Sequence, residues 1–329
     1  MPNLSIHLSE DVFILEERTS TGIYTFAAII LSFIGFFGFV LNLLVIVTVI
    51  KNANVLWTPI NVILVNMVVG DFLVAALGNP FAITSAVAGV WFWSYDVCLW
   101  YAWFMTTMGF ASIGNLTVMA IERFLLVTCP MKTISIRHAY ILAILVWMYS
   151  FSLSLPPFFN WGTYGPEAGN ISCSVSWEKH DPESHNDTYI GFLFIFGFVC
   201  PVVIIASSYY GIIRTLKKIR KRIGTKNRRE KKVTKMVYLM ILAFLIAWSP
   251  YAVLALATQY FYIQTSHLVA VLPTLLAKSS ICYNPIIYAS MTVHFPNTWK
   301  KMFSINGYNA TARNKQQHGC ELQFKREVC

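Results

Sequence analysis

The run V-L-P-T-L-L-A-K-S-S-I-C-Y-N-P-I-I-Y, from Val271 to Tyr288, is almost wholly apolar, yet Lys278 stands near its middle. An ammonium at bilayer depth costs about 2.5–3.5 kcal/mol on insertion scales, so a lysine kept there marks a functional position. Snorkelling to the interface is the competing explanation. Tyr288 lies a further ten residues along, about 15 Å of helix, too far for the side chain to cover. An unprotonated amine in such a place is a nucleophile toward an aldehyde. The rest of the chain reads as housing for this amine.

Composition supports that reading. Of 329 residues, 56% are hydrophobic and 12% charged, and the mean hydropathy is +0.57. This is too apolar for a soluble domain and implies an all-α membrane protein, a seven-transmembrane helix bundle. Apolar runs long enough to cross about 30 Å of hydrocarbon fall at 22–50, 57–87, 97–128, 138–159, 188–214, 233–261 and 268–290. Three parts are expected: an extracellular segment 1–21, the bundle with a short surface helix over 22–304, and a cytoplasmic tail 305–329.

Basic residues set the orientation. Lys51, Lys132, Arg137, the cluster from Arg214 to Lys235 and the tail bases from Lys300 fall on one side; Asp96, Glu167, Glu178, Asp181, Glu183 and Asp187 fall on the other. The positive-inside rule puts the amino terminus outside and the tail in the cytoplasm. The net charge of +10 therefore reflects loops, not nucleic-acid binding. Its densest part, ten lysines and arginines between Lys217 and Lys232, fits a topology signal facing anionic membrane lipid. Glu10, Asp11, Glu16 and Glu17 stand where a signal peptide would carry its basic and apolar parts, so no cleaved leader is expected. The seven cysteines form no C-x-x-C pair, and no metal site is expected.

Polar residues inside the spans carry the rest. Asp71 needs partners, for which Asn42 and Asn284 are candidates, either as a structural polar knot or as part of a switch. Tyr101, Met105, Met108 and Ser112 recur at helical spacing with Gly109 close to the same face, giving an inward stripe with room for a ligand or a packing seam. Cys98 at the outer mouth of the third span and Cys173 in the loop after the fourth face an oxidising space and are expected to pair. Sequons at Asn3, Asn170 and Asn186 lie on the outer side. Glu230 is placed to meet Arg123 across the inner ends of spans three and six. Pro250 bends span six beside Trp248 and Tyr251, Pro285 bends span seven, and Phe295 to Phe303 suits a helix lying on the inner surface.

Together Asn42, Asp71, Glu122-Arg123-Phe124, Trp147, Cys98 with Cys173, A-W-S-P-Y and N-P-I-I-Y resemble a rhodopsin-like G-protein-coupled receptor. Lys278, six residues before Asn284, resembles the retinal-binding lysine of an animal opsin. The likeness covers about residues 22–305. Within opsins, L-L-A-K-S-S-I-C-Y-N-P-I-I-Y and the K-K-I-R-K-R loop are most similar to the encephalopsin and pteropsin group of non-visual ciliary opsins. The resemblance implies a plasma-membrane photoreceptor, not an enzyme, carrying 11-cis (or also 13-cis) retinal as a Schiff base on Lys278. It implies that Tyr101, Met105, Gly109, Trp248, Tyr251 and Thr274 line the chromophore. Glu122, Arg123 and Glu230 would form a cytoplasmic lock, and Asp71, Tyr209, Asn284, Pro285 and Tyr288 would rearrange on activation of a heterotrimeric G protein.

Three departures shape the expectations. Tyr101 stands where vertebrate visual pigments carry a glutamate counterion, and a neutral phenol cannot balance a cation. Glu167, six residues before Cys173, matches the acid that serves in many bistable opsins, so Glu167 is expected as counterion, directly or through water, with a photoproduct that light reverses. Thr292-Val293-His294 differs from the N-x-Q tripeptide of ciliary opsins; the resemblance implies Gi/o, with Gs and Gq open. The tail offers a receptor kinase and arrestin few sites, such as Ser304 and Thr311, and Cys320 as a palmitoylation candidate. Rival readings are a receptor for a diffusible ligand, opposed by Lys278, a retinal photoisomerase, and a transporter, opposed by the lack of internal repeats.

Overall fold

The computed structural model describes residues 3–129, 134–167, 169–177, 184–223, 228–263 and 266–291, with the backbone alone at 3–20, 219–223, 228–232, 267–268 and 291. The expected surface helix from Phe295 to Phe303, the Thr292-Val293-His294 stretch and the tail lie outside these residues, as do the side chains of Asn3 and Glu230.

Seven long helices form the bundle: α1 (Asn3–Lys51), α2 (Pro59–Ala88), α3 (Tyr95–Thr128), α4 (Ile136–Ser154), α5 (residues 186–223), α6 (Arg228–Phe261) and α7 (His267–Met291). The first six carry stretches long and apolar enough to cross a membrane; α7, with 25 residues, is about 37 Å long and suffices too. Their outward faces are apolar, with Phe33, Phe36, Ile144, Met148 and Val253 each more than half exposed. Such a surface fits lipid, because hydrocarbon exacts no cost for side chains of this kind. α1 begins well before the expected boundary, so residues 3–20 continue the helix where a separate leader was expected.

Local chemistry sets the helix ends. Pro59 opens α2 where its missing N–H is not needed. Gly89 closes it at φ +71°, a conformation a side chain would strain. Ser94 and Ser135 cap α3 and α4 by accepting from the amides of Val97 and His138. α2 and α5 are each interrupted by one wide π turn, Val74–Gly78 and Ile195–Val199. Both turns fall just before a proline, Pro80 and Pro201. Proline cannot donate to the carbonyl four residues back and collides with it, so an extra residue in the turn relieves the clash.

α3 is the axle, packing on α2, α4, α5 and α6 and on both strands of the outer loop. A polar knot ties it to its neighbours: Asn66 donates to Asn115 at 2.9 Å and accepts from the Trp147 indole at 2.9 Å. Around this axle the core falls into an inner cluster that includes Met67, Leu116, Met240, Phe244 and Tyr288. An outer cluster includes Tyr101, Leu153, Tyr164, Tyr189 and Val271.

The outer loop folds into a hairpin of β1 (Tyr164–Pro166) and β2 (Cys173–Val175), with Gly165 opposite Ser174. A disulfide joins Cys98 to Cys173, as expected. Tyr164 donates to Ser154 O at 2.7 Å, and burial pushes its phenol up to about 12. Asn186 is the one sequon whose expected role the geometry opposes. It is 1% exposed, donates to Ser176 O at 2.6 Å and accepts from the Thr163 amide at 3.2 Å. A glycan there would displace the contacts that seat the hairpin. Asn170 remains partly exposed at the hairpin turn.

The disulfide closes a loop of 75 residues. Replacing Cys98 and Cys173 with serine is expected to lower stability by about 2–4 kcal/mol, measured as a fall in the thermal unfolding midpoint of detergent-solubilised protein that reductant reproduces in the unmodified chain.

Candidate functional site

Between the two core clusters a cavity opens among α3, α5, α6, α7 and the hairpin. Its lining includes Met105, Gly109, Phe110, Phe198, Trp248 and Tyr251, with Glu167, Thr274 and Lys278 on one wall. Each expected pocket residue except Tyr101 lines it directly, and Tyr101 lies behind Lys278, fully buried. Gly109 belongs here for a steric reason: a Cβ at that position would lie 3.1 Å from Trp248 Cη2. The absent side chain lets the indole lie against α3. Trp248 donates to Ser280 Oγ at 3.2 Å and meets the Tyr251 ring edge-on at 6.1 Å.

Lys278 donates from Nζ to Tyr101 Oη at 3.0 Å. The nitrogen lies 5.4 Å from the centroid of the same ring, within cation–π reach. Lys278 and Glu167 make no direct ion pair; among the described residues the one ion pair joins Arg123 to Glu122. Glu167 instead sits in the hairpin turn, its amide bonded to Ser172 O at 2.9 Å. Its Oε2 accepts from Ser172 Oγ at 2.6 Å and from Thr274 Oγ1 at 3.2 Å. Its Oε1 accepts from the Tyr251 hydroxyl at 3.1 Å. Thr274 precedes Lys278 by four residues, one helical turn, so the carboxylate and the amine are brought to the same face of α7. An amine and a carboxylate in one low-dielectric cavity attract each other without contact.

The residues missed from sequence are Ser172, Ser174, Trp177 and Ser280. The first three are short or aromatic residues beside Cys173, and the disulfide that pins that cysteine over the bundle was the available signal. Trp177 donates its indole N–H to Tyr251 Oη at 2.9 Å, and Tyr251 lies 3.1 Å from Ser174 Oγ.

Toward the inner end, Asn284 donates to Asp71 Oδ2 at 3.1 Å. The other expected partner is elsewhere: Asn42 donates to Gly38 O at 2.7 Å and Ile281 O at 3.0 Å, tying α1 to α7. Arg123 Nη2 bonds Glu122 Oε1 at 2.6 Å and Arg123 Nε bonds the second oxygen, a bidentate pair between chain neighbours. Tyr209 donates to Thr234 O at 3.4 Å, joining α5 to α6, and Tyr288 donates to Asn61 Oδ1 at 3.0 Å, joining α7 to α2. Pro285 lies between Asn284 and this tyrosine inside α7.

The family "7 transmembrane receptor (rhodopsin family)" matches residues 41–288. The chain is 36% identical over 267 residues to the green-sensitive opsin of Gallus gallus, covering 79% of this chain and 75% of that protein. It is 33% identical to the rhodopsin of Sminthopsis crassicaudata, with 79% and 76% covered. Squid rhodopsin superposes with a TM-score of 0.77 at 27% identity, covering 86% of each chain. The chain therefore belongs to the rhodopsin family of seven-transmembrane receptors and, within it, to the opsins: it is a light-sensing G-protein-coupled receptor and not an enzyme.

Tyr101→Phe would remove the oxygen that accepts the Lys278 Nζ hydrogen bond. An orphaned buried polar group costs about 1–3 kcal/mol, so the ligand-free variant is expected to unfold at a lower temperature than the parent in a thermal melt, while Tyr95→Phe, at an exposed position, leaves the midpoint unchanged.

Proposed function

We propose that the chain is a retinal-binding photoreceptor in which Lys278 holds the chromophore as a Schiff base and Glu167 supplies the counter-charge. The observation that carries this reading is the placement of both groups on one cavity, with Tyr101 beside the amine and no carboxylate on α3 near it. The residues fit the group: an aldehyde-reactive amine at one end of the cavity, aromatic walls from Trp248, Tyr251 and Phe198 along it, and about 1290 Å³ of empty space out to the solvent-open mouth. When bound as the 11-cis form, with 13-cis as a second candidate, retinal supplies light absorption and a change of shape.

The chain's own residues do the rest. Lys278 anchors one end. Glu167, held by Ser172, Thr274 and Tyr251, shares the cavity with the cation without a direct ion pair, and a water or the neighbouring hydroxyls would act as intermediaries. A carboxylate fixed on the disulfide-pinned hairpin stays in place whatever the shape of the ligand, which supports a bistable pigment whose photoproduct light reverses. Trp248, wedged against Gly109, senses that shape and sits two residues from Pro250, the proline inside α6 that makes bending easier there. Outward movement of the inner half of α6 past Arg123 and Tyr209 would then open a cytoplasmic cleft, a shift of population between two packings.

The finer assignments follow the resemblance. The chain fits the encephalopsin and pteropsin group, and Gi/o is the favoured G protein, with receptor kinase and arrestin as further partners. The amino terminus lies outside the plasma membrane and the tail inside, because Lys51 and the bases flanking α5 and α6 gather at one end of the bundle. Residues 1–21, 22–304 and 305–329 form the outer segment, the bundle with its surface helix, and the tail.

The test is an absorption spectrum of purified protein mixed with 11-cis retinal, before and after illumination. A visible band that shifts with light, is absent in Lys278→Ala and moves sharply toward the ultraviolet at neutral pH in Glu167→Gln is the expected result. A light-sensitive band that survives Lys278→Ala would overturn the assignment.

A further inference from the structure

Tyr251 Oη sits at a junction of three polar groups. The Trp177 indole donates to it at 2.9 Å. Glu167 Oε1 and Ser174 Oγ are each 3.1 Å away. A phenol carries a single proton. With the indole N–H occupying one lone pair, that proton can serve Glu167 or Ser174 but not both. Ser174 is free to receive it, since its own proton has an acceptor in Val175 O at 3.1 Å.

We propose that Tyr251 is a two-position hydrogen-bond donor that reads the charge of Glu167: it donates to Glu167 while that residue is a carboxylate and turns to Ser174 when Glu167 takes up a proton. The proposal rests on the reading of Glu167 as the anion facing the chromophore. A charge-assisted bond to a carboxylate is roughly twice as strong as a neutral one, so the first position wins while the charge is present. Protonation of Glu167 turns that oxygen into a weaker acceptor and hands the advantage to the serine. The Trp177 N–H keeps the phenol oxygen in place through the exchange, so that the proton moves and the ring does not. Glu167 and Ser174 both lie on the hairpin that Cys173 pins, whereas Tyr251 lies one residue beyond Pro250 on α6. The exchange thus alters which part of the rigid hairpin holds the bent helix. The other groups facing Glu167 are Ser172 on the hairpin, Thr274 and Lys278 on α7, and Tyr101 on α3. None of the first three changes donor in this scheme, and Tyr101 is bonded to Lys278.

Two substitutions act in opposite directions. Tyr251→Phe removes a strong bond from the carboxylate form and a weaker one from the protonated form, which favours proton uptake. Ser174→Ala leaves the carboxylate form intact and removes the resting place of the phenol proton from the protonated form, which opposes uptake. The experiment is an acid titration of the dark visible band of the full chain loaded with 11-cis retinal, because neutralising the anion opposite the chromophore cation moves the band to longer wavelength. The midpoint is expected to rise in Tyr251→Phe and to fall by about half to one pH unit in Ser174→Ala, and Ser174→Thr, which keeps the hydroxyl, should restore it. Glu167→Gln should lack this step: acid should convert its ultraviolet band directly to the long-wavelength form, with no intermediate visible band to titrate. Should Tyr251→Phe fail to fold, the Ser174 pair carries the test alone. An unmoved midpoint in Ser174→Ala, or shifts of the same sign in both variants, overturns the exchange while leaving Glu167 in its role. A neutral-pH visible band in Glu167→Gln that still moves to longer wavelength at the parent's midpoint overturns that role and the exchange with it.

Discussion

A basic side chain inside an apolar bundle imposes its terms on everything around it. Lys278 lies on the cavity wall inside the bundle, and Tyr101 on α3 provides its hydrogen-bond partner. A second requirement follows, since a carboxylate within the same cavity must itself be bonded or it would cost several kcal/mol. Glu167 meets it with three donors drawn from the hairpin, α6 and α7. Four separate parts of the chain thus converge on one small polar island. Mispositioning any of them would strand a polar group without solvent.

That island is held in place by stiff parts and bordered by compliant ones. The disulfide attaches β2 to the outer end of α3, the helix with most neighbours, so Glu167 and Ser174 are referred to the axle of the bundle. Tyr164 and Tyr189 reinforce this by bonding to the carbonyls of Ser154 and Leu153 at the end of α4. The compliant parts are the helices with prolines, α6 at Pro250 and α7 at Pro273 and Pro285. Each proline removes one intrahelical bond, so bending there costs less than elsewhere. Trp248 and Tyr251 flank the α6 bend on the cavity side, where anything that fills the cavity presses on them. A rigid lid facing a hinged wall is a reasonable design for turning a change of ligand shape into helix movement.

The inner half of the bundle shows the same economy. Asp71 takes Asn284 from α7, Asn42 bridges α1 to α7 through backbone carbonyls, and Tyr288 returns to Asn61 on α2. These bonds link α7, with its two internal prolines, to α1 and α2. Arg123 has Glu122 as its partner, a neighbour in the chain, and among the described residues this pair makes no ion pair with α6. The bond from Tyr209 to Thr234 O is the longer, weaker tie between α5 and α6 at this level. At this level Leu116 of α3 and Met240 and Phe244 of α6 share one apolar cluster, so separating the two helices would expose it.

Residue order alone determined the number of long helices, the place of Lys278 within α7, the Cys98–Cys173 pair and the prolines inside α6 and α7, though α1 runs well beyond the span read for it. Each of these depends on local composition or on the side of the membrane a segment reaches, and hydrocarbon leaves little choice of backbone. The wide turns before Pro80 and Pro201 escaped that reading, because hydropathy is blind to how a proline clash is relieved. Asn186 looked like a glycan acceptor because a sequon has no memory of burial. Asn42 looked like a partner for Asp71 because both are polar residues in adjacent spans, yet its amide serves the carbonyls of Gly38 and Ile281. Tertiary structure alone decided that Lys278 bonds Tyr101 and that Glu167 is shared among Ser172, Thr274 and Tyr251. It also decided that Trp177 and Ser174 belong to the site. Those facts depend on where side chains from distant segments end within a few ångströms, and hydrogen bonds are satisfied by distance and direction, which no pattern along a single chain encodes.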